Sequence, residues 1–277
     1  NEERQRMGPG PWWAGRVEKG PPGGAPGRRL APPPPAETSE KPSDIHPDTK
    51  GALAPSPPRS GAAAELRAIA EVCHRRSRPL IVDEAWGAHL PFHPDLPSWA
   101  MDAGADICVT SIHKMGSGLE QGSVFHLQGD LVPPQVLKMR SDLLGTTSPS
   151  VLVYAGLDGW RRQMALRGEE LMGGALALAA EVRAAVEEID GMHVDDRSDF
   201  CGPGLADDFD PLPCVIDVTG LGLTGFQASD WLRENRQVDM HLSDHRRIGA
   251  QLTHADDQET ADQLLAALKD LARAAPA

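Results

Sequence analysis

The sequence predicts an α/β fold with a mostly parallel sheet, followed by a smaller α+β part at the C-terminal end. Three observations carry this. A helical pattern gives way to a short apolar strand run twice between residues 62 and 109. Polar residues, Asp83 and the tetrapeptide Ser111-Ile-His-Lys114, stand at the ends of two of those runs, where open parallel sheets place their ligand sites. After Gly191 the elements become shorter and mixed.

Residues 1–60 hold 14 of the 25 prolines and 8 of the 28 glycines, including four consecutive prolines at 32–35. Such a stretch buries too little surface to offset its ordering entropy, so a disordered leader is expected over 1–60. The proline run also admits a reading as a ligand for a proline-recognising module. The first residue is Asn1 rather than Met, which suggests a fragment or a gene-model artefact.

From Ala62 to Arg75, Leu66, Ile69, Ala70 and Cys73 recur at helical spacing, and Arg78-Pro79 stops the helix. Leu80-Ile81-Val82 then suits a strand buried on both faces. The rhythm repeats, with Ser98–Ala103 as a helical turn and a half, Gly104 as its stop and Ile107–Val109 as the next strand. A third strand, Ser123–Leu127, follows a loop containing Gly116, Gly118 and Gly122. Long helices are expected over 150–166 and 169–189, the second with Leu171, Ala175, Leu178, Val182 and Val186 on one stripe. Beyond Gly191, strands are expected at 215–218, 238–242 and 248–253 and helices at 227–234 and 258–273. The expected organisation is a leader at 1–60, a large domain at 61–190 and a small α+β domain at 191–277.

Composition removes several functional classes. The chain carries 40 Asp+Glu against 27 Lys+Arg, a net charge of −13, and the leader accounts for none of that excess, since residues 1–60 are about +2 and the remainder −15. A fold-bearing part this acidic argues against nucleic-acid binding, which draws its affinity from Lys and Arg on phosphates. No stretch approaches the ~20 apolar residues of a membrane span, and there is no apolar signal-peptide core. A cytoplasmic protein without membrane partners is expected. Cys73, Cys108, Cys201 and Cys214 form no Cys-x-x-Cys pair, so they read as reduced packing residues.

An acid at one strand end and a lysine at another suit pyridoxal phosphate. Lysine forms a Schiff base with its aldehyde, and a carboxylate paired with the ring nitrogen strengthens the electron sink. On that reading Lys114 is the Schiff-base lysine and Asp83 the pyridinium partner. Ala85 is small enough to lie flat against the ring, and Ser111 and His113 are placed to hydrogen-bond the phosphate or the imine region. The bland reading makes Asp83 a turn or cap residue and the tetrapeptide incidental. A zinc site from Glu84, His89, His93 and His113 is a poorer fit, because no helical His-x-x-x-His context supports it. No metal is therefore expected.

Residues 80–128, with Leu-Ile-Val-Asp-Glu-Ala-Trp-Gly-Ala-His, Val-Thr-Ser-Ile-His-Lys and Gln-Gly-Ser-Val-Phe-His-Leu, resemble the major domain of the Orn/Lys/Arg decarboxylase family. The similarity continues through Leu143–Ser150, Asp217–Gly225 and Asp244–Arg247, and covers about 62–275. The family consists of fold-type-I pyridoxal phosphate enzymes. The resemblance implies Lys114 as the cofactor lysine, Asp83 on the ring nitrogen, His113 beside the lysine, Ser111 on the phosphate and Ala85 on the ring face. Trp86 stands where many members have histidine, near the ring hydroxyl. Thr147 and Ser148 resemble a segment that reaches the cofactor phosphate of the neighbouring subunit, which implies a homodimer with a shared site. The implied reaction is decarboxylation of a small cationic amino acid, whether lysine, ornithine or arginine, with Lys114 or His113 returning a proton.

The family's large domain carries a glycine/serine phosphate loop before its Asp strand, and none precedes residue 62 here. The expected fold is thus a partial fold-type-I large domain plus the small domain. Two functional expectations stand beside each other: a decarboxylase impaired by truncation, or a catalytically silent remnant acting as a regulatory or dimerising partner. An aminotransferase shares the same Schiff-base chemistry.

Overall fold

A computed structural model describes residues 48–275, which belong to one compact unit, Thr38–Ala277. Of the disordered leader expected at 1–60, residues 1–47, with the proline run at 32–35, lie outside the described residues. In chain order the first part comprises β1 (Ala52–Pro55), β2 (Ala62–Ala63), α1 (Leu66–His74), β3 (Leu80–Asp83), β4 (Ile107–Ser111), β5 (Ser123–Leu127), α2 (Pro134–Leu144) and α3 (Val151–Glu187). The second comprises β6 (His193–Val194), α4 (Arg197–Phe200), β7 (Asp208–Phe209), β8 (Pro213–Asp217), α5 (Gly225–Arg236), β9 (Leu242–Ser243), β10 (Arg247–Gln251) and α6 (Gln258–Ala274).

The main sheet has the order β1-β3-β4-β5. The first three strands are parallel, and β5 is antiparallel to β4, with Ile107 opposite Leu127 and Ser111 opposite Ser123. The short link from Ser111 to Ser123 cannot hold the crossover that a parallel partner requires, so the chain doubles back. On β3, Leu80 and Val82 are fully buried and pack with Leu66, Ala70 and Cys73 of α1. β1 and β5 are the outer strands, and each carries an exposed apolar side chain, Leu53 and Phe125.

β1 corrects the expectation that everything up to residue 60 is unstructured. Ala52, Leu53, Ala54 and Pro55 pair with Leu80, Ile81, Val82 and Asp83. A four-residue strand gains its backbone partners from a neighbour, which the average composition of a proline-rich stretch does not register. Pro55 is tolerated because it ends an edge strand. The helix expected from Ala62 begins only at Leu66, since Ala62 and Ala63 pair with Phe209 and Asp208 as β2–β7. Residues 98–103 form turns, not helix, because the Ala100 N–H is given to the Glu84 carboxylate at 2.9 Å.

The two helices expected at 150–166 and 169–189 are one, α3, of 37 residues and about 55 Å at 1.5 Å per residue. Gly168 is a contact point within it and does not break it: a Cβ there would lie 2.8 Å from Phe92 Cδ1. The second sheet, β6-β8-β10-β9, is antiparallel throughout. The strand expected at 238–242 shrinks to Leu242–Ser243, because Gln237 ends α5 in the left-handed conformation and redirects the chain. A large apolar cluster joins α3, α5 and α6 to β8 and β10, and it also takes in Leu90, Leu96 and Met115 from the first part. Among the described residues no helix is long and apolar enough to cross a membrane. All four cysteines are free, and Cys73, Cys108 and Cys214 are buried.

Candidate active site

Because β1, β3 and β4 run parallel, with Pro55 opposite Asp83 and Asp83 opposite Val109, the loops that follow them meet at one sheet edge. Asp83 is exposed there, and its Oδ1 accepts the Ala85 N–H at 3.2 Å, which turns the chain sharply. Trp86 follows, and the Gly87 N–H closes the turn onto the Glu84 carbonyl at 2.8 Å.

Lys114 sits in the turn after β4. Its N–H donates to the Ser111 carbonyl at 3.2 Å, while the Gly122 carbonyl receives the N–H groups of both Ile112 and His113. The glycines make this tight return possible: a Cβ on Gly116 would come within 2.6 Å of the Ile112 carbonyl. The outcome is a defined position for the amine. Lys114 Nζ lies 4.7 Å from the centroid of the Trp86 ring, a cation–π contact that leaves the amine without an ion-pair partner among the described residues. The structure thus brings Asp83, Ala85, Trp86, Ser111, His113 and Lys114 onto two adjacent loops. Ser111 is buried at the end of β4, and His113 Nδ1 lies 2.9 Å from Glu120 Oε1. Thr147 and Ser148 are elsewhere, on the exposed link between α2 and α3, where the Ser148 N–H donates to Thr146 Oγ1 at 3.1 Å.

Glu84, the residue directly after β3, is completely buried where Asp83 is exposed. It accepts the Ala100 N–H at 2.9 Å and the Cys108 thiol at 3.2 Å. Burial, partly offset by those two hydrogen bonds, pushes its carboxyl up to about 8. The thiol of Cys108 is raised as well, first by burial and then by Glu84. The histidines weighed as zinc ligands each have a separate partner: His89 pairs with Asp210 at 2.9 Å, His93 with Asp95 at 3.8 Å and His113 with Glu120. They do not converge with Glu84 among the described residues.

Sequence reasoning missed three groups here. His89 and Asp210, each 1% exposed, form a buried pair that ties the loop after β3 to the segment before β8. Arg59, in the loop after β1, lies with Cζ 5.4 Å from the Trp86 ring. The His241 ring lies 5.9 Å from the Trp86 ring, and both its nitrogens are buried and unpartnered among the described residues. No local pattern marks these residues, since their partners are 27 to 182 positions away.

An open α/β sheet with a lysine and a carboxylate at adjacent strand ends is the arrangement of fold-type-I pyridoxal phosphate enzymes. Residues 36–200 match the profile of the Orn/Lys/Arg decarboxylase major domain, and the chain belongs to that family. An arginine decarboxylase of Halalkalibacterium halodurans is 40% identical over 236 residues, covering 85% of this chain and 48% of the relative. One from Bacillus subtilis is 38% identical over 237 residues, covering 86% of this chain and 48% of the relative. The chain therefore spans about half the length of these relatives. The solved lysine decarboxylase of Francisella novicida shares the fold with a TM-score of 0.66 at 18% identity, over 81% of this chain and 36% of that one. A ureidoglycine–glyoxylate aminotransferase from Bacillus subtilis has a TM-score of 0.61 at 16% identity, over 82% and 61%. The family and these neighbours are pyridoxal phosphate enzymes, which implies that cofactor.

Proposed function

We propose that the chain carries the lysine-bearing part of a pyridoxal-phosphate-dependent decarboxylase of basic amino acids, with arginine favoured because the curated relatives named above are arginine decarboxylases. The observation that carries the reading is the Lys114 amine held against Trp86 without a carboxylate partner among the described residues, at the same sheet edge as the solvent-open Asp83. An amine free of an ion pair is available as a nucleophile, and an exposed acid can take a cationic partner. The residues present therefore fit the cofactor.

When bound, pyridoxal phosphate supplies an electron sink for the pair released as the Cα–carboxylate bond breaks. Lys114 is the residue for its aldehyde, and Asp83 holds the proton on the ring nitrogen. Ala85 leaves room for a flat ring, and the Ser111 hydroxyl is a donor for the phosphate. Trp86 holds the Lys114 amine against its ring. His113, oriented by Glu120 through Nδ1, keeps Nε2 for moving a proton, and Lys114 is the second candidate donor to Cα. Thr147 and Ser148 act on a neighbouring subunit in a homodimer. Support for that comes from the surface around them, where Leu143, Leu144, Val151, Leu152 and Tyr154 are all exposed and α2 buries no residue. Four free cysteines agree with a reducing, cytoplasmic setting.

Mixing the purified chain with pyridoxal phosphate tests this directly. A visible absorption band is expected, and it should vanish in Lys114→Ala. Carbon dioxide release from arginine, lysine and ornithine then separates decarboxylation from amino-group transfer. Absence of the band in the unsubstituted chain refutes the reading and favours a silent dimerising remnant.

A further inference from the structure

Two cations lie against one indole. Lys114 Nζ is 4.7 Å and Arg59 Cζ 5.4 Å from the Trp86 centroid. Arg59 donates one hydrogen bond, from Nη1 to the His241 carbonyl at 3.4 Å, and has no ion-pair partner among the described residues. Arg161, Arg167, Arg197, Arg233, Arg246 and Arg273 each hold a carboxylate. Two like charges sharing one ring repel each other, and an anion between them turns that cost into an attraction. Arg59 has the hardware for such an anion, because most of its five donors are unused and their planar fork matches a carboxylate or phosphate. Burial first of all lowers the basicity of the neighbouring His241 ring, and its two buried nitrogens have no hydrogen-bond partner among the described residues. Unsatisfied polar atoms of this kind at a site call for a ligand.

We propose that Arg59 binds the oxyanion brought to Lys114, either the α-carboxylate of the amino acid or the phosphate of the cofactor. The proposal rests on Lys114 being the substrate-facing amine. Arg59 is thereby a specificity-determining residue contributed by the loop after β1. A carboxylate seated there fixes the Cα end of the amino acid relative to the lysine and leaves the side chain to be read elsewhere.

The test compares the full chain with Arg59→Met and Arg59→Lys by titration calorimetry, using two pairs of ligands. Arginine and agmatine differ only by the carboxylate; pyridoxal phosphate and pyridoxal differ only by the phosphate. Loss of a charge-assisted bidentate contact weakens the anionic member of one pair by about 10- to 100-fold. Its anion-free partner stays within about twofold, and Arg59→Lys recovers part of the loss. The pair that responds identifies the oxyanion. The proposal is overturned if all four ligands bind the variant as they bind the parent, or if both members of each pair weaken equally. It is also overturned if neither arginine nor pyridoxal phosphate binds the parent chain. Binding of arginine without a visible cofactor band removes the decarboxylase reading and leaves Arg59 judged on the arginine–agmatine pair. Unchanged melting of the variant confirms that folding is intact.

Discussion

The buried Glu84 makes the stability of the chain depend on pH in an unusual direction. Its carboxyl rises from 4.5 to about 8 in the folded state because burial disfavours the charged form. Below about pH 4.5 the group is protonated in both states and has no effect. As pH climbs, the unfolded chain loses this proton while the folded chain keeps it, so stability falls through the window from 4.5 to about 8 and levels off above it. At about 1.36 kcal/mol per unit, the full window corresponds to about 5 kcal/mol. Glu84→Gln retains an acceptor for the Ala100 N–H and removes the ionisation. Urea unfolding followed by circular dichroism at pH 5, 6, 7 and 8 should show parent stability dropping by about 1 kcal/mol or more per unit. The variant should be nearly flat and should overtake the parent towards pH 8. Equal pH slopes in the two proteins would refute the assignment of a raised, buried carboxyl to Glu84.

Three further outcomes are expected. His89→Ala strands the Asp210 carboxylate in an interior where each partner is 1% exposed, costing about 3–5 kcal/mol, read as a Tm lowered by about 6–20 °C; a Tm within about 2 °C of the parent contradicts the pair's role. Gly168→Ala drives a methyl group to within 2.8 Å of Phe92 Cδ1 and 2.9 Å of its Cβ and costs about 1–3 kcal/mol, read as a lowered Tm; a Tm within about 2 °C of the parent contradicts the contact. Leu144→Glu with Leu152→Glu should convert a dimer to a monomer in sedimentation experiments, while unchanged mass shows that the face serves something else.

Legibility in the sequence followed the range of the interaction. β3 and β4 were readable because Leu80-Ile81-Val82 and Ile107-Cys108-Val109 are apolar runs closed by polar residues, and the candidate lysine and aspartate stand at those ends. β1 was hidden, since Ala52-Leu53-Ala54 is unremarkable until β3 supplies its hydrogen bonds. Gly168 imitated a helix stop while serving as a contact for Phe92. Ser98–Ala103 had helical composition, but the buried Glu84 captured the amide that a helix would have used. Within the candidate site, local order revealed the residues on the two loops. The groups that crowd Trp86 from a distance, Arg59 and His241, become neighbours only through the fold.

The open flanks of the main sheet bear on how the protein behaves in concentrated solution. Both outer strands, β1 and β5, have no strand partner on their far side among the described residues, and Leu53 at 72% and Phe125 at 53% exposure add stickiness to them. Such edges are templates for strand addition by another chain. What holds copies apart is mutual repulsion from a net charge of −13, which reaches only about 8 Å at 0.15 M salt and about 3 Å at 1 M. Colloidal stability is therefore tied to ionic strength and acidity: salt, or a pH that neutralises the carboxylates, lets the edges meet and turns a dispersed protein into an aggregating one.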